Sequence, residues 1–368
     1  MIIGVPKEIK EKEFRVGIVP AGVKALSQAG HLVLVEKDAG AGSGITANEY
    51  GDAGASLSSS AQEIYEKADL VMKVKEPLGP ELSLLRPGQI LFTYLHLAPA
   101  PELTDSLLKS KVRAVAYETV QLDNGFLPLL APMSQVAGRM AIQEGARFLE
   151  KEEGGRGVLL AGVPGVQPGH VTILGSGTVA TNAAQMAMGL GAHTTILARN
   201  LKKLAELDAL YQGRLTTLAL NHHNIEEELS KADLLISAIY VPGGRAPTLV
   251  TRQMLSLMQK GSVIVDVAID QGGCLETSRP TYHSDPVFEV DGILHYCVAN
   301  MPGAVPWTST FALTNATLPY CLTIANKGLE AAARKDQALY RGINLFDGLL
   351  VNQQVAASQK KEWQKLHL

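Results

Sequence analysis

Apolar residues along this chain gather in short continuous runs bounded by charged or turn residues. Runs at 33–35, 70–74, 91–96 and 114–117 predict strands buried on both faces, the type found in parallel sheets. Ahead of the first, Pro20-Ala21-Gly22-Val23 opens a helix with proline in its first turn. Strand and helix signals alternate through residues 1–128, a pattern of parallel α/β units. A longer helix is expected with Ser134 as its N-cap, running through Met140, Ala146 and Leu149 and stopped by Gly154 and Gly155. Buried strands recur at 171–174, 194–197, 233–239 and 263–268, and a helical pattern over 308–335 returns toward the first block.

These elements predict an α/β fold of two Rossmann-like, doubly wound domains with a cleft between them. The second is inserted into the first: residues 1–128 plus 307–368 form a substrate domain, and 129–306 a dinucleotide-binding domain. The strand at 171–174 runs into Gly175-Ser176-Gly177-Thr178-Val179-Ala180 and then a small-residue helix. In a dinucleotide-binding turn the first glycine permits a tight bend and the second lets backbone approach a pyrophosphate. The third small residue lets helix and strand pack closely, and the helix N-terminus faces the phosphates. Gly-x-Gly-x-x-Ala alone also fits an ordinary glycine turn; the strand at 194–197 supplies the confirming context.

Length and composition agree with two ordinary cores: 368 residues, 46% hydrophobic and 19% charged. A net charge of −3, dispersed along the chain, offers no footprint for nucleic acid. Residues 1–8 lack the charged and apolar regions of a signal peptide, and no uncharged apolar run reaches the ~18 residues of a membrane span. Cys274, Cys297 and Cys321 have no metal spacing and read as reduced core thiols, so no metal and a cytoplasmic location are expected.

Candidate chemistry sits where apolar runs end. Arg15 lies in Glu13-Phe14-Arg15, Lys73 and Lys75 flank Val74, His96 follows Phe92-Thr93-Tyr94-Leu95, and Asp270 precedes Gln271-Gly272-Gly273. Each has a plainer role: a solvated or salt-bridged cation, a structural histidine, a turn cap. Together, beside a dinucleotide turn, they suit a small carboxylate substrate. Arg15 can fork a carboxylate, Lys75 can stabilise a carbonyl or developing alkoxide, and His96 can exchange protons near neutral pH. Asp270 can orient an ammonium or a water. His222 and His223 read as part of a polar loop near the adenosine.

In these frames the sequence resembles the alanine dehydrogenase family over essentially its whole length. The matching stretches include Gly4-Val5-Pro6-Lys7-Glu8, Val74-Lys75-Glu76-Pro77, Thr93-Tyr94-Leu95-His96, Asp270-Gln271-Gly272-Gly273-Cys274 and Asn300-Met301-Pro302-Gly303. The resemblance implies that Arg15 and Lys75 bind pyruvate's carboxylate and oxo group and that His96 and Asp270 are the acid/base pair. It also implies that Ser134 contacts the pyrophosphate and that Asn300 and Met301 line the nicotinamide side. Asn300 counts with the substrate-binding residues; Asp270 and Ile239 count with the cofactor-binding ones. The implied reaction interconverts L-alanine with pyruvate and ammonia, in a homohexamer. One departure matters. Where the family pattern has an aspartate for the ribose 2′-hydroxyl, this chain has Ala198 followed by Arg199, with Lys202 and Lys203 close by. That pair suits a 2′-phosphate, so NADP(H) is expected beside or ahead of NAD(H). A solvated Arg199, with NAD(H) still held by its pyrophosphate and nicotinamide, is the plainer alternative. Rival functions are a transhydrogenase nucleotide-binding module, which needs no acid/base set, a lysine-forming saccharopine dehydrogenase, and a non-catalytic metabolite sensor.

Overall fold

The structure, a computed structural model, describes residues 1–239 and 246–368. The first leg of the chain forms β1 (Ile2–Val5), β2 (Leu32–Glu36), β3 (Ser56–Ser58), β4 (Leu70–Met72), β5 (Ile90–Thr93) and β6 (Arg113–Ala116). The middle forms β7 (His170–Leu174), β8 (His193–Ala198), β9 (Thr216–Ala219), β10 (Leu234–Ser237), β11 (Val263–Asp266), β12 (Val287–Val290) and β13 (Ile293–Tyr296). The last leg adds β14 (Ile343–Phe346) and β15 (Leu349–Leu350). Two compact units result: Met1–Met133 with Gly303–Leu368, and Ser134–Pro302.

In the first unit the strand order is β15-β14-β6-β5-β4-β1-β2-β3, and β1 to β6 pair in parallel. β14 joins antiparallel to both β6 and β15. The core draws on both legs: Tyr65, Val71, Leu91 and Leu107 pack in one cluster with Leu345, Leu350 and Val355. Each such side chain removed from water contributes about 1.5–3 kcal/mol. In the second unit the order is β12-β13-β11-β10-β7-β8-β9, parallel except for the β12–β13 hairpin. Leu174, Leu197, Leu229, Leu235 and Ile264 centre its core.

Several strands end sooner than the apolar runs do, and for one shared reason. After β4, β5 and β11, backbone amides that could continue a ladder bond to a carboxylate instead. Glu8 Oε1 accepts from Val74 N (2.6 Å) and Lys75 N (3.3 Å), and Glu118 from Leu95 N and His96 N. Asp266 accepts from Ala268 N (3.0 Å) and Cys274 N (2.9 Å). Residues 267–271 therefore form a short 3₁₀ helix rather than more strand.

Three helix expectations change. Ser134 is not an N-cap: the helix is Ala131–Phe148, because Leu127 O already accepts from Leu130 N and Ala131 N. Pro132 fits its first turn, where no N–H is needed. The pattern over 308–335 is two helices, Pro306–Lys327 and Leu329–Lys335, parted at Gly328 with φ +77. His222 and His223 open a helix, His222–Lys231, rather than lie in a loop; Asn221 caps it by accepting from Asn224 N, and the histidines face Glu226 and Glu227 one turn on. Among the described residues no helix is long and apolar enough to cross a membrane, and no group of three His, Cys, Asp or Glu could hold a metal.

Candidate active site and dinucleotide turn

At the end of β7, Gly175 has φ +117, and a Cβ there would lie 2.7 Å from the Ala238 carbonyl oxygen and 3.3 Å from Ile239. No other residue fits that bend. Two residues on, Gly177 is the N-cap of the helix Thr178–Leu190 and gives it no side-chain cap. A Cβ on Gly177 would meet nothing within 4 Å, so the space before the helix N-terminus is open. Ala180 is fully buried, while Ser176, Thr178 and Val179 are half-buried around the opening. The helix Ala131–Phe148 approaches so closely that a Cβ on Gly138 would lie 2.3 Å from the Val179 carbonyl oxygen. Ser134, one turn earlier on that helix face, is half-buried. Unclaimed helix N–H groups, open space and a glycine-lined approach fit a dinucleotide pyrophosphate.

β8 ends at the buried Ala198, followed by Arg199, which is exposed and has no hydrogen bond or ion pair among the described residues. Asn200 caps the next helix, Leu201–Tyr211, by accepting from Lys203 N at 3.0 Å. Lys203 Nζ donates to Glu206 (3.1 Å), so the expected extra positive field from Lys203 is offset locally; Lys202 is exposed. In the same unit Asp270 is exposed in the turn that Asp266 holds at both ends. Asn300 is half-buried at φ +68, with His283 Nε2 3.3 Å from its carbonyl oxygen, and Met301 is buried.

In the first unit, Arg15, Lys75 and His96 follow β1, β4 and β5, three adjacent parallel strands, at the carboxyl edge where α/β sheets bind ligands. Arg15 is 2% exposed, and Glu13 takes one edge of its fork: Nε to Oε1 at 2.6 Å and Nη2 to Oε2 at 2.5 Å. Nη1 lies 3.1 Å from Met133 Sδ. Lys75 is joined to its neighbours through backbone: Thr93 donates to its carbonyl oxygen, and Glu8 accepts from its amide. His96 is half-buried at φ +47, its ring parallel to that of Tyr94 with centroids 5.7 Å apart. Tyr94 is anchored through its hydroxyl, which donates to the Leu129 carbonyl oxygen at 2.6 Å.

Two family models match the chain: the alanine dehydrogenase/PNT N-terminal domain over residues 4–137 and the C-terminal domain over 141–353.

The chain belongs to the alanine dehydrogenase/PNT family.

Curated members of that family named alanine dehydrogenase include one from Methanococcus maripaludis, 56% identical over 97% of this chain and 96% of its own. Another, from Geobacillus stearothermophilus, is 54% identical over 100% and 99%. A solved L-alanine dehydrogenase superposes with a TM-score of 0.94 at 52% identity, covering 98% and 99% of the two chains. A transhydrogenase from Sinorhizobium meliloti shares the fold at 23% identity and a TM-score of 0.80. The chain is thus an enzyme of the amino-acid dehydrogenase type with this family's two-domain α/β architecture.

Within the family frame, the supporting charges are what sequence reasoning missed. Lys73 is fully buried, with Nζ 3.1 Å from Glu8 and 2.6 Å from Glu81, so it is an internal counter-ion. Burial pushes the Glu8 carboxyl above the usual carboxylate range, against the pull of Lys73. Burial likewise raises Asp266, which its Ser278, Cys274 and Ala268 hydrogen bonds oppose. The one available signal was a lysine inside the apolar run at 70–74: a buried cation requires carboxylate partners.

Proposed function

We propose that the protein is an alanine dehydrogenase, interconverting L-alanine with pyruvate and ammonia, and that it takes NADP(H) in preference to NAD(H). Bound at the turn from Gly175 to Ala180, the dinucleotide supplies the hydride acceptor or donor. The Arg15 guanidinium, held in place by Glu13, meets the substrate carboxylate. The Lys75 ammonium steadies the oxygen at the reacting carbon. In the oxidative direction hydride leaves Cα, and His96 takes a proton from the water that attacks the resulting iminium carbon. That water's oxygen becomes the keto oxygen; nitrogen departs as ammonium, with one net proton released. Asp270 orients the ammonium, and Asn300 and Met301 border the nicotinamide. Homohexamer assembly belongs to the same proposal, and a monomeric mass in sedimentation would remove it.

The observation that supports the chemistry is that Arg15, Lys75 and His96 follow three adjacent parallel strands of one sheet. The cofactor preference rests on Arg199, exposed and without an ion pair among the described residues, beside an uncharged Ala198. A charged hydrogen bond to a 2′-phosphate, discounted for exposure, is worth about 1.5 kcal/mol, roughly tenfold. Alanine-dependent reduction of NAD and NADP at matched concentrations should favour NADP by about that factor, and Arg199→Asp should reverse it. A tenfold preference for NAD overturns the cofactor reading. Turnover with lysine and 2-oxoglutarate but none with alanine overturns the substrate reading.

A further inference from the structure

We infer that Glu118 is a positioning residue that sets His96 in its working orientation, which rests on His96 being the acid/base group. Parallel pairing of β5 with β6 ends with Thr93 beside Ala116, and the 3₁₀ turn that follows β6, Tyr117–Thr119, carries Glu118. Glu118 Oε1 accepts from His96 N at 2.6 Å, and both its oxygens lie 3.3 Å from Leu95 N. Two successive amides turned onto one carboxylate form an anion nest, and its short member is a charge-assisted bond. His96 has φ +47, a left-handed conformation that a Cβ disfavours. The bond to Glu118 fixes the peptide that enters His96, so the strained residue is anchored at its own amide.

Glu118 has no other assignment among the described residues: no lysine or arginine pairs with it, and these two amides are its hydrogen-bond partners. The ring is held from its other side by Tyr94, itself tied to Leu129. Backbone and ring of His96 are therefore fixed separately, by an acid in the 3₁₀ turn after β6 and by an anchored tyrosine. A general base misplaced by about 1 Å can lose on the order of a hundredfold in rate.

The test measures kcat, KM for alanine and the pH profile in Glu118→Ala, Glu118→Gln, His96→Ala and the double variant Glu118→Ala/His96→Ala. Glu118→Ala should lower kcat at least about tenfold with KM changed less than about threefold, as expected for a transition-state interaction. Glu118→Gln keeps an acceptor oxygen and should retain most of kcat and the wild-type pH profile. In the His96→Ala background, Glu118→Ala should cost less than about twofold, because its effect passes through the imidazole. An equal loss in both backgrounds overturns the inference, as does an equal loss and pH displacement in the glutamine variant. If Glu118→Ala does not fold, Glu118→Asp in the same two backgrounds gives the same comparison. Wild-type turnover in His96→Ala overturns the acid/base reading itself and this inference with it; an inactive His96→Ala beside a fully active Glu118→Ala overturns the inference alone.

Discussion

Replacing Lys73 with methionine removes the cation from an interior that holds two carboxylates. The ammonium, fully buried, lies 3.1 Å from Glu8 and 2.6 Å from Glu81, both nearly inaccessible. At an effective dielectric near 20, each contact is worth about 5–6 kcal/mol, against several kcal/mol of desolvation per ion. Deleting one partner forfeits the attraction and leaves the desolvation, a net loss of about 3–5 kcal/mol out of a typical 5–15 kcal/mol. The loss depends on pH. Burial already raises Glu8, and losing Lys73 raises it further. A carboxyl raised on folding contributes stability that is complete below its unfolded value of about 4.3 and is lost as pH climbs through the folded value. The gap between wild type and Lys73→Met should therefore be widest at alkaline pH and close toward acid. Both tryptophans, Trp307 and Trp363, lie in the first unit, so their fluorescence during guanidinium unfolding reports on that unit. A variant indistinguishable from wild type above neutral pH, or a gap that widens in acid, refutes the reasoning.

Gly177→Ala places a Cβ in the open space before the helix Thr178–Leu190, where it meets no protein atom within 4 Å. Dinucleotide affinity, followed by fluorescence titration, should fall at least about tenfold with unfolding unchanged; unaltered affinity would take this turn out of the site. The three thiols are buried, and burial pushes Cys274 up to about 11 and Cys297 and Cys321 to about 12. A disulfide reagent near pH 8 should find no fast thiol in the native protein and three after unfolding; a fast native thiol would contradict that burial.

Strands such as β2, β4, β5, β7, β10 and β11 were legible because parallel strands buried on two faces read as unbroken apolar runs. Gly175 was legible because a turn pressed against Ala238 requires glycine, and Gly177 because a ligand approaching the helix start closely does. The ends of those strands were not legible. Val74 is claimed by Glu8 and His96 by Glu118, and nothing in the local pattern announces a carboxylate from so far along the chain. Periodicity likewise cannot reveal that Lys73 is a counter-ion while Lys75, two residues on, stands at the sheet edge. The charge on Lys203 was overcounted for a nearer reason, since Glu206 sits one helical turn away. Among the strands that were missed, Glu289 and Asn344 interrupt the apolar runs of β12 and β14, and β15 is two residues long.

The first unit is written in two instalments. Its sheet takes β14 and β15 from the last leg of the chain, and Leu345, Leu350 and Val355 complete the core that Val71 and Leu91 begin. The second unit is one uninterrupted stretch. On the ribosome, where domains fold as units while the chain emerges, the dinucleotide turn has all of its partners before the sheet carrying Arg15, Lys75 and His96 has its edge. For as long as it takes to synthesise the final leg, β6 presents an unpaired edge of the kind that recruits other chains. The enzyme's period of greatest aggregation risk is thus set by translation speed over its last segment, and a stop codon there would cost the first unit far more than the second.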